Sequence, residues 1–419
     1  MKALFNLFVL LIFIISLDSN AQWIQLETNN TSGLFSISAV NDNVIWSCCK
    51  ERRVIKTTNG GVNWTIYDPV LPSSYYMGNI YAVNESKAFI SGHIIDGNAF
   101  CYMTTNGGTN WTQVLYLSSG MVNAVIFKDS NEGILTCDPI NNNWIIYKTT
   151  NGGNNWNISA TFPSLYSETG LANSLDCYGN NVWIGTSFGR VLISSNFGDN
   201  WSIVDFGTTK SVSSPHFINA QTGICSGISL LKYTTNAGAN WSNMNYPSIS
   251  PGVGIAGNLN EFIIGVMGTK IYKTTNGGSN WAVEFSLEPS NMVRYHMTKS
   301  RDGVYVWDAR SNGKVGKRII PISIRNLSSE MPSGNRLSQN YPNPFNPVTN
   351  IVYSLMKSSL ATLRVYDALG REIQSLVNEK QAPGTYEAVF DASHIPSGVY
   401  FYRLTAEGFS ETRKMVVLK

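Results

Sequence analysis

Thr57-Thr58-Asn59-Gly60-Gly61-Val62-Asn63-Trp64 carries a pattern that returns five more times, in copies that end at Trp111, Trp156, Trp201, Trp241 and Trp281. The tryptophans are separated by 47, 45, 45, 40 and 40 residues, the period of four-stranded β-propeller blades. A repeat of this length is one supersecondary unit that buries its hydrophobic face only against its neighbours, so the array organises the chain more than any single site does. In the sixth copy a β-rich run, Lys270-Ile271-Tyr272-Lys273, precedes the octamer, and Trp281-Ala282-Val283-Glu284-Phe285 follows it. The octamer therefore reads as a turn between two strands. Asn59 is suited to bond the backbone two residues on, and Gly60 and Gly61 to take positive φ. Asn106, Asn151, Asn196, Asn236 and Asn276 repeat the first role, and Gly108, Gly153, Gly198, Gly238 and Gly278 the second. Each tryptophan is expected to fold under its turn and be largely buried.

Each repeat divides into four strands when followed backward from its tryptophan. In the sixth these are Gly252 to Leu259, Glu261 to Met267, Thr269 to Thr275 and Trp281 to Leu287. The ends of the region complement one another. Residues 22–27, with Trp23 in the box position, supply a fourth strand without the other three, while Met292 to Met297, Val304 to Asp308 and Lys314 to Ile320 supply three without the fourth. Joined, they make a seventh blade, and a blade shared by both ends closes the ring and removes its open edges. Six blades with a loose N-terminal strand is the alternative.

Charged residues are 14% of the 419, and the net charge is +3 without a basic run, so neither nucleic acid nor an anionic membrane is an implied partner. Residues 1–21 read as a secretory signal, with Lys2 before an apolar run from Leu4 to Leu17 and small residues at Ser19-Asn20-Ala21. No later stretch is long enough for a transmembrane helix. Cys48, Cys49, Cys101, Cys137, Cys177 and Cys225 form no disulfide framework and read mostly as buried free thiols, with Cys48 and Cys49 the one pair close enough for redox chemistry. Residues 321–336 lack apolar periodicity and read as a linker. The following residues, 337–419, hold six short strands with dense turn signals, which suggests a small antiparallel sandwich. The fold expected is thus all-β: a seven-bladed β-propeller over 22–320, closed by the N-terminal strand, then an immunoglobulin-like β-sandwich.

The octamer resembles the Asp-box, or bacterial neuraminidase repeat, Ser/Thr-x-Asp-x-Gly-x-x-Trp. All six copies depart from it in the same way: asparagine replaces the acidic residue, which keeps a turn-forming bond but removes a charge that could hold a cation. The C-terminal 83 residues, 337–419, resemble the type A C-terminal sorting domain of the type IX secretion system. The carrying residues are Asn340 to Pro347, Val365-Tyr366-Asp367-Ala368-Leu369-Gly370-Arg371-Glu372, Ser397 to Leu404 and Lys414 to Lys419. A related module occurs in flagellar hook-capping proteins. The sorting resemblance implies type IX machinery as a partner and passage through the periplasm to the outer surface or the medium.

Sialidases on the Asp-box propeller need three clamping arginines, a tyrosine with a glutamate and an acid/base aspartate. None of Arg52, Arg53, Arg190, Arg294, Arg301, Arg310 and Arg318 sits in that family's Arg-Ile-Pro type motif. Paired carboxylates for glycoside hydrolysis could come from Asp96, Asp138, Glu168 and Asp308. The four histidines, His93, His216, His296 and His394, show no metal-ligand or triad spacing, and Gly252 to Gly257 fits a dinucleotide fingerprint by letter with no helix after it. No cofactor or metal is therefore expected. With the octamers at one end of the blades, Tyr75, Tyr76, His93, Phe162, Tyr166, Arg190, Tyr246 and Arg310 fall on the loops of the other end, beside Asp96, Asp138 and Asp308. Exposed aromatics beside a few charges suit a glycan or protein ligand. Resemblance to the propellers of the sortilin luminal domain and of a photosystem assembly factor implies a binding role. A purely structural surface protein is the remaining alternative.

Overall fold

The computed structural model describes residues 23–227, 229–245, 251–257, 262–266, 270–274, 276, 278–286, 294–299, 305–319, 325–328, 330–346, 348–392 and 395–418. The expected signal segment, 1–21, lies outside them, as do Tyr246 and His394. Among the described residues there is no helix. Trp23–Ile320 is one compact unit and Pro321–Lys419 belongs to another.

The first unit contains seven four-stranded antiparallel sheets among its described residues. Sheet 1 is Leu34–Ala39, Ile45–Cys49, Val54–Thr57 and Thr65–Tyr67, joined in sequence order. Sheets 2 to 6 repeat this plan, with first strands Tyr75–Ala82, Val122–Phe127, Leu175–Tyr178, Ser214–Phe217 and Pro251–Gly257. Sheet 7 takes Arg294–Lys299, Tyr305–Arg310 and Val315–Ile319, and its fourth strand is Ile24–Leu26 from the start of the chain. The register pairs Ile24 with Lys317, Gln25 with Gly316 and Leu26 with Val315. The first strands touch one another in a cycle, sheet 1 to sheet 7 and sheet 7 back to sheet 1. Trp23 is buried, donates its indole N–H to Glu284 Oε2 at 3.1 Å and packs on Phe285 at 6.1 Å.

The octamers work differently from the expected turn. Thr57 Oγ1, rather than the asparagine, accepts the backbone N–H groups of Asn59 (3.3 Å) and Gly61 (3.0 Å), and donates to Asn59 Oδ1 (2.9 Å). The Asn59 oxygen then accepts the N–H of Asn63, four residues on, at 2.9 Å. The same Thr/Ser and Asn bonds recur around Asn106, Asn151, Asn196, Asn236 and Asn276. All of these acceptors are neutral oxygens meeting N–H or O–H donors, so asparagine serves as well as aspartate.

The second glycine has two reasons to be glycine. Gly153 sits at φ 83°, and a Cβ there would lie 2.5 Å from Phe89 of the preceding sheet; at Gly108 it would lie 3.2 Å from Trp46, and at Gly198 3.0 Å from Ile134. The octamer is therefore the surface on which one sheet packs against the sheet before it. Lysines tie the same joints: Lys317 Nζ donates to Gly60 O (3.1 Å) and Lys56 Nζ to Glu85 O (2.9 Å). Trp64 is buried, but Trp111, Trp156, Trp201, Trp241 and Trp281 are half-buried. Each of the paired ones lays its ring against a neighbouring aromatic, as Trp111 does on Trp46 (6.4 Å, 87°), and leaves part of the indole toward solvent. All six cysteines are free thiols, and five are buried. Burial pushes the Cys49 and Cys137 thiols up to about 12, which removes the thiolate that redox chemistry at Cys49 needs.

In the second unit, two four-stranded sheets enclose one core. One holds Arg325–Ser328, Gly384–Asp391, Val348–Leu355 and Arg336–Leu337; the other holds Glu372–Gln381, Ser359–Tyr366, Gly398–Ala406 and Phe409–Val417. Tyr353, Leu363, Tyr402, Leu404, Met415 and Val417 meet between them. The stretch read as linker, 321–336, supplies the strand Arg325–Ser328, which pairs with Thr385 to Glu387. Its polar composition suits an edge strand, and only partner pairing, absent from local sequence, reveals it. The turn Asp367-Ala368-Leu369-Gly370-Arg371 is closed by Asp367, which accepts the N–H groups of Leu369 and Arg371, each at 2.9 Å.

Candidate functional site

The residues expected on the loop end separate into an open group and a buried one. Tyr76 and His93 are paired across adjacent strands of sheet 2, and their rings stack at 5.2 Å and 13°, with Tyr76 46% exposed. His93 Nδ1 is buried without a hydrogen-bond partner. Tyr75, one position earlier on the strand, points to the other face and packs on Phe100 at 4.7 Å. Tyr166 stands 92% exposed. Asp96 is exposed and caps its own turn, accepting Asn98 N at 3.1 Å. Asp138 accepts Asn123 Nδ2 at 2.9 Å and Gly170 N at 3.0 Å; burial raises its pKa against these bonds and the nearby His93.

Three residues expected to meet a ligand lie buried in ion pairs. Arg190 is 7% exposed and bonds Glu168, itself 4% exposed, through Nε to Oε1 at 2.9 Å and through Nη2 to Oε2. Trp144 Nε1 and Leu165 N also donate to Glu168 Oε2, at 2.9 and 3.0 Å. Burial pushes this carboxyl up, but the bonds from Arg190, Trp144, Thr186 and Leu165 outweigh it and hold the pKa below its ordinary value. Asp308 and Arg310 are both fully buried. Arg310 Nε donates to Asp308 Oδ1 at 2.6 Å, Gly316 N donates to the same oxygen at 2.7 Å, and Arg310 Nη1 reaches Gln25 Oε1 at 3.2 Å. Arg190 opens a strand, Asp308 lies inside one and Arg310 ends it, so all three belong to strands rather than to the loops beside them. A buried guanidinium needs a carboxylate: Arg310 finds it within its own strand at Asp308, and Arg190 finds it in the segment between sheets 3 and 4 at Glu168. Phe162 is half-buried in its strand.

The region that sequence reading missed is the centre of the ring. A cavity of about 220 Å³ is lined by the first strands of six sheets, with Ser38, Asn79, Asn173, Asp176, Ser214, His216, His296 and Thr298 among its polar groups. Asn173, at φ 61°, gathers one side of it: its Oδ1 accepts Ser36 Oγ at 2.9 Å and Asn79 Nδ2. Ile37 N donates to His296 Nδ1 at 3.1 Å, which places the proton of the neutral ring on Nε2. Burial lowers His296 to about 4. Asp176 accepts Cys177 N at 2.9 Å on Oδ1 and Phe217 N at 2.6 Å on Oδ2, while burial raises it to about 7 against these two bonds. His216 Nδ1 lies 3.9 Å from Asp176 Oδ2. Asn79 and His296 both follow the bulge of their first strands, as Ser36 and Ala124 do, but the residue type changes from repeat to repeat, so no motif marks them. The available signal was polar residues in the strands that begin each blade, where a core predicts apolar ones. Among the described residues no three His, Cys, Asp or Glu side chains gather as a metal site.

With this geometry in view, two kinds of likeness define the chain. Residues 339–418 match the family described as the secretion system C-terminal sorting domain. The remainder has the fold of a β-propeller. The solved structure of YCF48 bound to D1 peptide is similar at TM-score 0.57 and 16% identity, covering 71% of this chain and 96% of that one. YCF48 from Cyanidioschyzon merolae is similar at TM-score 0.58 and 20% identity, covering 72% and 99%. The WD40 propeller domain of Doa1 follows at TM-score 0.52 and 10% identity, covering 71% and 97%. No curated protein matches in sequence. The chain is a β-propeller protein with a C-terminal secretion sorting domain, and that domain marks it for export to the cell surface or the medium.

Proposed function

We propose that this is an exported binding protein: a signal peptide ending at Ala21, a seven-bladed propeller of the Asp-box kind that takes an external glycan or polypeptide, and a type IX sorting domain. Passage runs through the periplasm. The observation that carries the binding role is the open Tyr76–His93 stack, an aromatic platform with one ring nearly half exposed and a histidine behind it. Such surfaces anchor sugars and peptide side chains by stacking. The YCF48 neighbour, solved with a peptide bound, supports a ligand on this fold. Of the four carboxylates available to a hydrolase, Glu168 and Asp308 are held by Arg190 and Arg310, which weakens the enzymatic alternative.

The test is a glycan array and a peptide library probed with the full chain and with Tyr76→Ala. Recognition of one ligand class that falls tenfold or more in the variant supports the reading. Binding that ignores Tyr76 would move the site elsewhere. Export is tested by fractionating native cells that carry the full chain or a chain ending at Ile320: the shorter one is expected in the periplasm, and its delivery to the surface would refute the sorting role.

A further inference from the structure

Asparagine stands at the same position of every octamer, and in four of the six the next residue is glycine: Asn59-Gly60, Asn106-Gly107, Asn151-Gly152 and Asn276-Gly277. Asparagine followed by glycine is chemically labile. The glycine nitrogen, once a base has taken its proton, attacks the asparagine Cγ; an N–Cγ bond forms, the Cγ–Nδ2 bond breaks, and ammonia leaves. Water then opens the succinimide ring at one carbonyl or the other and yields aspartate or isoaspartate. In Asn196-Phe197 and Asn236-Ala237 a side chain after the asparagine shields the attacking nitrogen. Asn59, Asn106 and Asn151 are exposed, so water and base reach them; Gly277 lies outside the described residues.

The fold holds both reacting groups apart. Gly60 N donates to Asn43 O at 3.0 Å, Gly107 N to Ser86 O at 2.8 Å and Gly152 N to Asn131 O at 2.8 Å. Each acceptor lies in the turn between the first and second strands of the same sheet, so the nucleophile is fixed by a contact that exists only when the sheet is assembled. The electrophile is held as well. Asn59 Oδ1 accepts Thr57 Oγ1 and Asn63 N, each at 2.9 Å, and Asn106 and Asn151 are bonded in the same way. Turning Cγ toward the glycine nitrogen breaks the two side-chain bonds, and freeing the nitrogen breaks a third. We propose that these octamers are modification sites gated by the fold: their asparagines persist in the assembled sheets and convert to isoaspartate and aspartate in a chain that stays unfolded. Isoaspartate carries the main chain through Cγ, which adds a methylene to it and leaves the carboxylate directly on Cα. The oxygen that received the N–H four residues on is thereby displaced, so the turn and the sheet-on-sheet joint it forms are not rebuilt. Prolonged unfolding becomes irreversible.

The experiment keeps the full chain at mildly alkaline pH in native buffer and in urea, with the free peptide Thr57 to Trp64 in both to correct for solvent. Digests are mass-mapped, and isoaspartate is labelled with an isoaspartyl methyltransferase. Three bonds at about fivefold each make conversion of Asn59, Asn106 and Asn151 about a hundredfold slower in the native chain than in urea. Asn196 and Asn236 convert far more slowly than Asn59 in urea. Refolding yield on dilution from urea falls in step with isoaspartate content. Thr57→Ala removes the hydroxyl that donates to Asn59 Oδ1 and speeds conversion of Asn59 in the native chain about fivefold, while Asn106 and Asn151 of the same molecules keep their rates. Should Thr57→Ala fail to fold, the comparison of native chain with urea in the unaltered protein decides the matter. Equal rates in native buffer and urea, conversion of Asn196 as fast as Asn59 in urea, full refolding of chains that carry isoaspartate at these positions, or an unchanged Asn59 rate in folded Thr57→Ala would each overturn the proposal.

Discussion

Gly153→Ala isolates the joint between sheets 2 and 3. The added methyl meets Phe89 Cζ at 2.5 Å and Cε1 at 2.6 Å. Phe89 is fully buried, stacked on Phe127 at 5.0 Å and held edge-on by Trp156 at 6.1 Å, so it has nowhere to turn. Overpacking of this kind costs about 1 to 3 kcal/mol, and the left-handed backbone at φ 83° adds about 1 kcal/mol for a residue with a Cβ. The expected loss is about 2 to 4 kcal/mol. Gly97→Ala is the control: its φ is 91°, and a Cβ there meets nothing within 4 Å, so only the backbone cost of about 1 kcal/mol applies. Urea unfolding followed by tryptophan fluorescence measures both variants. All 11 tryptophans lie between Trp23 and Trp307, so the signal reports the propeller without the sorting domain. Equal losses at the two positions would refute the argument that the octamer acts by packing sheet on sheet.

Trp156→Ala is expected to cost about 2 to 3 kcal/mol, below the ~3 to 5 of fully buried aromatic truncations, because the ring is half-buried and its indole N–H has no partner to lose; the same urea melts check it. Deleting residues 23–27 removes the fourth strand of sheet 7, along with Trp23 and the Lys314–Glu27 pair, and should give early melting and aggregation by light scattering. Unchanged solubility would argue that closure does not depend on that strand. Two half-buried titrating groups predict opposite pH slopes between about 4 and 6.5. Asp176, raised to about 7, makes the folded state bind the extra proton there, so its contribution to stability falls as pH rises. His296, lowered to about 4, makes the unfolded state bind it, so its contribution rises. The slopes offset in the intact chain. Asp176→Asn should therefore gain about 2 kcal/mol between pH 4.5 and 6.5 and His296→Asn lose as much, read from thermal melts across that range; parallel curves for all three proteins would refute the assignment.

Much of the architecture was legible because the repeat is local chemistry. Thr57, Asn59 and Gly61 close their turn within eight residues, so the octamer and the strands beside it could be placed from the sequence. Their period of 40 to 47 residues named the blade. The incomplete ends likewise showed that Trp23 and Lys314 to Ile320 belong together, because each lacked what the other held. The strands of the sorting domain were readable for the same reason, through turn residues such as Asp367 and Gly370. What the octamer does was not legible: that Gly153 rests on Phe89 depends on how two sheets face each other, and no spacing records it. Tertiary structure also decided which charges are available. Asp308 and Arg190 look like surface candidates in a sequence, but Asp308 is buried beside Arg310 and Arg190 beside Glu168, and in each pair the carboxylate and the guanidinium take the place of one another's solvent. The channel residues Asn79, Asp176 and His296 come from three sheets that meet only when the ring closes, and burial by that closure gives each its distinctive chemistry.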